Sequence, residues 1–179
     1  MSILTTERLR LEPFDDIHLD GLNAMNSDPE VMRYLGTPES RGKTAEIIDL
    51  VKSRWIQYGY SWWSFIERVS DEAIGAGCIQ NLRKNGDSPD PACPLEIGWR
   101  LRRDHWHKGL ASEAAIAMGD FAFRKLDADA LLAVCHPDNA ASAAVMRRLG
   151  MRYRGMEDWY GKLLATYQVT VDEWTRHTG

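Results

Sequence analysis

Trp106-His107-Lys108-Gly109-Leu110-Ala111 is the stretch of this chain whose residue types and spacing point most directly to chemistry. Before it, residues 95–101 read as a strand. After it, the alanine-rich residues 112–125 read as a helix. A tight strand-to-helix turn leaves the first amides of the helix without intrahelical acceptors, with the positive end of the helix dipole behind them. Such a turn binds phosphate. The plain alternative is a connection in which Gly109 serves backbone geometry only.

A second segment repeats the arrangement. His136-Pro137-Asp138-Asn139 follows residues 130–135, which are almost wholly apolar and read as a strand covered on both faces. Ala140, Ala141 and Ser142 then open a helix over residues 140–149, ended by Gly150, with Asn139 as an N-cap. Gly42-Lys43-Thr44 looks like the end of a nucleotide-binding loop. However, five residues separate Gly36 from Gly42 where that motif needs about four, and helix rather than strand precedes it.

The elements that must position these turns follow from periodicity. Residues 6–14 alternate as an opening strand with one wet face. Asp15 and Asp16 start a helix running to Asn26, Asp28-Pro29 restarts the chain, and residues 31–34 make a short helical turn. Residues 36–43 form a loop, and residues 44–58 a helix with Gly59 as its C-cap. Strands are expected over 62–68 and 74–79, a surface loop over 83–94, and closing strands over 153–155 and 163–171. Alternating helices and strands in the second half imply an α/β fold with a mixed sheet.

The bulk numbers set the class. A chain of 179 residues corresponds to about one domain. The net charge of −4 argues against a nucleic-acid footprint, which needs clustered positive charge. No apolar run is long enough for a membrane span, and no signal segment opens the chain. Cys78, Cys93 and Cys135 are widely spaced, so neither a disulfide framework nor a zinc site is implied, and a reducing cytoplasm is expected. His105, His107 and His136 lie beside the two turns without a fourth convincing ligand, and no metal is expected.

Taken together, the segments resemble the GNAT acetyltransferase superfamily, in particular its RimJ/RimL-like branch. The resemblance runs through Thr6-Glu7-Arg8-Leu9-Arg10-Leu11 and Asp28-Pro29-Glu30-Val31-Met32-Arg33-Tyr34-Leu35-Gly36. It continues through Glu96-Ile97-Gly98-Trp99 with the stretch from Trp106 to Ala114, and through His136-Pro137-Asp138-Asn139 to Leu149-Gly150-Met151. It covers nearly the whole chain in order, as one domain over 1–179.

The resemblance implies a GNAT fold, with about seven strands flanked by helices and a sheet splayed in the middle to admit coenzyme A. It implies acetyl transfer from acetyl-CoA to a primary amine, a protein N-terminus or a small molecule, by direct attack. Amides of His107, Lys108, Gly109, Leu110, Ala111 and Ser112 would hold the pyrophosphate, Leu101 and Arg102 the pantetheine arm, and Asn139 would assist. His107 stands where the branch usually has glycine. Met146 stands where many members carry a tyrosine acid, so Ser142 is the candidate proton donor near the thiol, with a helix-capping hydroxyl as the alternative. For the base, Glu96 on its strand and the acidic pair Glu157 and Asp158 are the candidates.

A coenzyme-A-binding sensor without turnover is the rival reading, motivated by Met146 and the unsettled base. The acceptor groove is expected between residues 15–58 and the loop at 80–94, lined by Trp62, Trp63 and Trp159. Exposed aromatics would equally suit a homodimer surface.

Overall fold

The computed structural model describes residues 2–86 and 88–178. Its strands join in the order β1-β2-β3-β4-β5-β6-β8-β7, one mixed sheet flanked by helices. This is the expected α/β class with one strand more. The addition is β1 (Leu4–Thr5), too short to show any periodicity, which pairs antiparallel with β2 (Leu9–Pro13). Asp87 of the expected 83–94 loop, and Met1 and Gly179 at the ends, lie outside the described residues.

The chain divides into two compact units. The first comprises residues 1–78 and 99–117. Here β2 pairs with β3 (Trp62–Glu67), and β3 with β4 (Ala73–Asn81), all antiparallel. Leu9, Leu11, Trp63 and Phe65 are wholly buried, and the alternate residues Arg10 and Glu12 carry the polar face. A 3-10 turn over Asp16–His18, capped by Asp15, leads into α1 (Leu19–Asn26). The expected single helix is thus split, because His18 turns back to take the Asp15 N–H on Nδ1 at 3.2 Å. Next come α2 (Pro29–Met32), capped by Asp28, and α3 (Arg41–Tyr58). α3 starts three residues before the expected position because the Ser40 hydroxyl accepts the Lys43 N–H at 3.2 Å. Gly59 closes it at φ 77°, as its role as C-cap predicts.

The second unit comprises residues 79–98 and 118–179. β6 (Ala130–Cys135) is its centre, paired antiparallel along its length with β8 (Lys162–Thr170). On its other side it meets β5 (Leu95–Leu101) in parallel at one position, Glu96 opposite Leu132. The edge strand β7 (Arg152–Trp159) pairs with β8 through a two-residue hairpin at Tyr160-Gly161, both at positive φ (57° and 66°). The expected 153–155 strand therefore extends to Trp159. Leu82, Leu132, Trp159 and Leu164 form a core against which Cys93, Val134 and Tyr160 pack.

Helix α4 (Leu110–Lys125) runs from the first unit into the second, and α5 (Ala140–Arg148) follows β6. After β8 comes α6 (Val171–Thr178), a helix the sequence pattern does not predict: the expected strand over 163–171 overruns its first residue. Its capping box fixes the boundary: Glu173 Oε2 accepts the Thr170 N–H at 2.9 Å. Trp174 seats α6 on α4, donating its indole N–H to Asp120 at 2.8 Å. No helix among the described residues is long and apolar enough to cross a membrane.

Candidate active site

The turn between β5 and α4 has the geometry its sequence implies. A 3-10 turn over Arg103–His105 brings the chain to Trp106, whose indole N–H donates to the Leu101 carbonyl at 2.9 Å. His107 (φ 61°) and Gly109 (φ 78°) both adopt the left-handed conformation. In the first turn of α4 the Glu113 N–H donates to the Gly109 carbonyl at 3.1 Å. Among the described residues, the amides of His107, Lys108, Gly109, Leu110 and Ala111 donate to no protein acceptor. Five consecutive donors at a helix N-terminus, with Lys108 exposed beside them, fit a diphosphate.

The opening motif braces this turn. Glu113, in the first turn of α4, accepts from the Thr6 hydroxyl at 2.5 Å, the Arg8 N–H at 2.8 Å and Arg8 Nε at 2.6 Å. Arg8 Nη1 then donates to the Lys108 carbonyl at 2.8 Å. Burial alone would raise the Glu113 carboxyl, but the hydrogen bonds from Thr6 and Arg8 override it and hold it below its ordinary value.

The pantetheine candidates are partly committed. Arg102 donates its N–H to Ile74 at 2.8 Å and accepts at its carbonyl from His105 at 3.0 Å. The Leu101 carbonyl already holds Trp106. Any ligand pairing at these residues must use the remaining lone pairs of the two carbonyls or the Leu101 N–H.

In the second unit, Glu96 is buried on β5 and its Oε2 is the meeting point of two donors. The Tyr160 hydroxyl makes a short hydrogen bond to it, and Gln80 Nε2 donates at 3.1 Å while also reaching Tyr160 Oη at 3.2 Å. Glu96 Oε1 has no hydrogen-bond partner among the described residues. Burial pushes the carboxyl up, only partly opposed by Tyr160, Gln80 and the charge of Arg83. A carboxyl so raised is suited to accept a proton near neutral pH.

Tyr160 is held as firmly as the acid it serves. Its N–H donates to the Arg83 carbonyl at 2.9 Å, the Gly161 N–H to Lys84 at 2.8 Å, and the Arg83 guanidinium lies 4.5 Å from its ring centroid. The sequence reading missed both Tyr160 and Gln80. The signal for Tyr160 was the Tyr-Gly pair between two strand-like runs, a hairpin that aims the phenol inward. For Gln80, a polar residue inside a β4 that is otherwise largely apolar was the clue.

Asn139 caps α5, its side-chain oxygen accepting the Ser142 N–H at 3.1 Å. Ser142 is half-buried in the first turn of that helix, and Met146 is buried in the core. Asp158 is exposed on β7, where its carbonyl accepts from Lys84 Nζ at 2.7 Å. Glu157 pairs with Arg154 at 3.0 Å and accepts the Trp159 indole N–H at 3.2 Å. Of the tryptophans expected at a groove, Trp63 and Trp159 are core residues. Neighbouring tryptophans on a strand face opposite ways, and here Trp62 is the half-buried one.

The fold and the braced turn define an acetyltransferase. Residues 8–152 match the acetyltransferase (GNAT) domain family, and the chain belongs to it. It is 31% identical over 179 residues to an N-acetyltransferase called p20 from Bacillus licheniformis, covering 96% of each chain. The acetyltransferase of Agrobacterium tumefaciens strain C58 superposes with a TM-score of 0.78 at 26% identity, over 94% of both chains. RimL, the ribosomal L7/L12 N-acetyltransferase solved with coenzyme A, shares the fold, with a TM-score of 0.74 at 21% identity over 96% of this chain and 99% of that one.

Proposed function

We propose that this acetyltransferase takes its acyl group from acetyl-CoA and passes it to a primary amine by direct attack, within the RimJ/RimL-like branch of its family. The observation that carries the reading is the run of five amides, His107 to Ala111, left without protein acceptors at the start of α4. These amides, with that of Ser112, would grip the pyrophosphate. The Leu101 and Arg102 carbonyls and Asn139 would line the arm. RimL, solved with coenzyme A, supports this donor class by analogy of fold.

Glu96 is the base. Its Oε1 takes the proton as the amine nitrogen attacks the thioester carbonyl; a C–N bond forms, the C–S bond breaks, and the thiolate leaves. Tyr160 and Gln80 fix the carboxylate plane through Oε2. Ser142 gives its hydroxyl proton to the departing thiolate, and solvent then reprotonates the serine oxygen. Asp158, exposed on β7, is the weaker candidate for the base. The acceptor is a protein N-terminus or a small amine. The three cysteines, which form no disulfide among the described residues, fit a reducing cytoplasm, and a homodimer is compatible with the exposed aromatic Tyr153.

The test is release of free thiol from acetyl-CoA with a panel of peptides, polyamines, aminoglycosides and amino acids. Amine-dependent release supports the reading. Thermal stabilisation by coenzyme A without release for any amine would leave a coenzyme-A-binding sensor instead.

A further inference from the structure

The arginines of the first unit are mostly matched to acids at its surface. Arg8 pairs with Glu113, Arg10 with Asp71, Arg41 with Asp20, and Arg102 with Glu72 and Asp104. Arg100, on β5, is different. It is half-buried as a residue, and its Nε is shielded from solvent with no hydrogen-bond partner among the described residues. Its guanidinium lies 5.2 Å from the centroid of the Trp62 ring, and Nη1 reaches only the weak acceptor Met32 Sδ at 3.9 Å. Among the described residues no carboxylate comes within 4.0 Å of it. Glu39 is the acid whose charge it feels, but Glu39 Oε2 is engaged by Asn26 Nδ2 at 2.9 Å. Asn26 Oδ1 is itself buried without a partner.

A guanidinium N–H shielded from water without an acceptor is costly. The side-on edge formed by Nε and one Nη matches the two oxygens of a carboxylate, a recognition that lysine cannot reproduce. Trp62 and Met32 give the guanidinium apolar flanks.

We propose that Arg100 recognises a carboxylate on the acceptor, so that the amine acylated here belongs to a small carboxylate-bearing molecule with an apolar body, as a free amino acid is. This rests on the acetyl-transfer reading above. A polyamine or an aminoglycoside lacks the group that Arg100 is left to bind.

The test offers acetyl-CoA with leucine, methionine and phenylalanine, each as the free acid, the primary amide and the decarboxylated amine. The wild-type enzyme prefers the free acids over the amides by roughly 30-fold or more in kcat/KM. In Arg100→Gln the ratio falls to near one. Arg100→Lys, which keeps the charge and loses the fork, restores only part of it. Retention of the coenzyme A thermal shift by both variants shows that the fold and donor site persist. A preference unchanged in Arg100→Gln, or a wild-type enzyme that favours amides or plain amines, overturns the proposal while leaving acetyl transfer in place.

If none of these compounds is acylated, thermal shift of the coenzyme-A-loaded protein decides. Stabilisation by the free acids and not the amides, lost in Arg100→Gln, upholds the carboxylate site although the turnover reading fails for these acceptors. Equal or absent stabilisation by acids and amides overturns it.

Discussion

A carboxyl group that takes a proton from an amine near neutral pH works best when its own pKa lies close to that pH. Burial moves Glu96 in that direction, while Tyr160 and Gln80 limit how far it goes. Tyr160→Phe removes a donor to the charged form, so Glu96 rises further. The acid limb of kcat/KM against pH then moves to higher pH, by about one pH unit for one such hydrogen bond. Glu96→Gln abolishes that limb and lowers kcat about 10²–10⁴-fold. An acid limb that stays in place in Tyr160→Phe would show that the phenol does not tune the base. Glu96 itself was legible as a carboxylate on a strand, but its burial was not. Its partner stands 64 residues away in the chain, joined to it only by the sheet and the β7–β8 hairpin. His107 shows the reverse: a non-glycine residue in a tight strand-to-helix turn is legible in the sequence, and its φ of 61° places it in the left-handed region. His107→Gly exchanges about 1–2 kcal/mol of left-handed strain for about 0.5–1 kcal/mol of chain entropy. The urea midpoint should therefore rise by the equivalent of about 0.5–1 kcal/mol at unchanged slope.

Among the elements, α4 is positioned by its first turn. Thr6 and Arg8 meet on Glu113, and the Lys108 carbonyl is tied to the same arginine, so the turn between β1 and β2 sets the start of the helix. Because the folded-state pKa of Glu113 is depressed, its contribution is fully present above the unfolded value near 4.5 and fades as pH falls through the lower folded value. Glu113→Gln should cost on the order of 1–2 kcal/mol at pH 7. The difference from wild type, measured by urea unfolding across the acid range, should shrink toward pH 3. A constant difference would refute the linkage.

The sequence pattern gives β5 and β6 to the residue, because both are short segments bounded on each side by turn residues. It failed at β7, where exposed Arg152, Tyr153 and Arg154 mask the alternation of an edge strand. It also left α6 without an assignment beyond Val171, although the Thr170-Val171-Asp172-Glu173 spacing already carries the capping box. Local hydrogen-bond signals were present there, but apolar patterning dominated the reading.

At the scale of the whole molecule, the phosphate turn belongs to one compact unit and the Glu96 cluster to the other, while β4 and β5 run through both. The family resemblance was therefore legible as an ordered set of local motifs, whereas the buried polar cluster arises only when distant segments fold together. This division makes donor binding and proton transfer separable by substitution. Gly109→Ala forces a Cβ into a conformation that costs about 1–2 kcal/mol and disturbs the run of amides. Coenzyme A at a hundred times its Kd stabilises a binding-competent protein by about 2.7 kcal/mol. Gly109→Ala should lose most of that thermal shift at the same ligand concentration, with KM for acetyl-CoA raised and the acid limb unmoved. Glu96→Gln should keep the full shift and lose turnover. A Gly109→Ala enzyme with an intact shift would mean that the diphosphate is held elsewhere. A Glu96→Gln enzyme without one would mean that the carboxylate supports donor binding rather than taking the amine's proton.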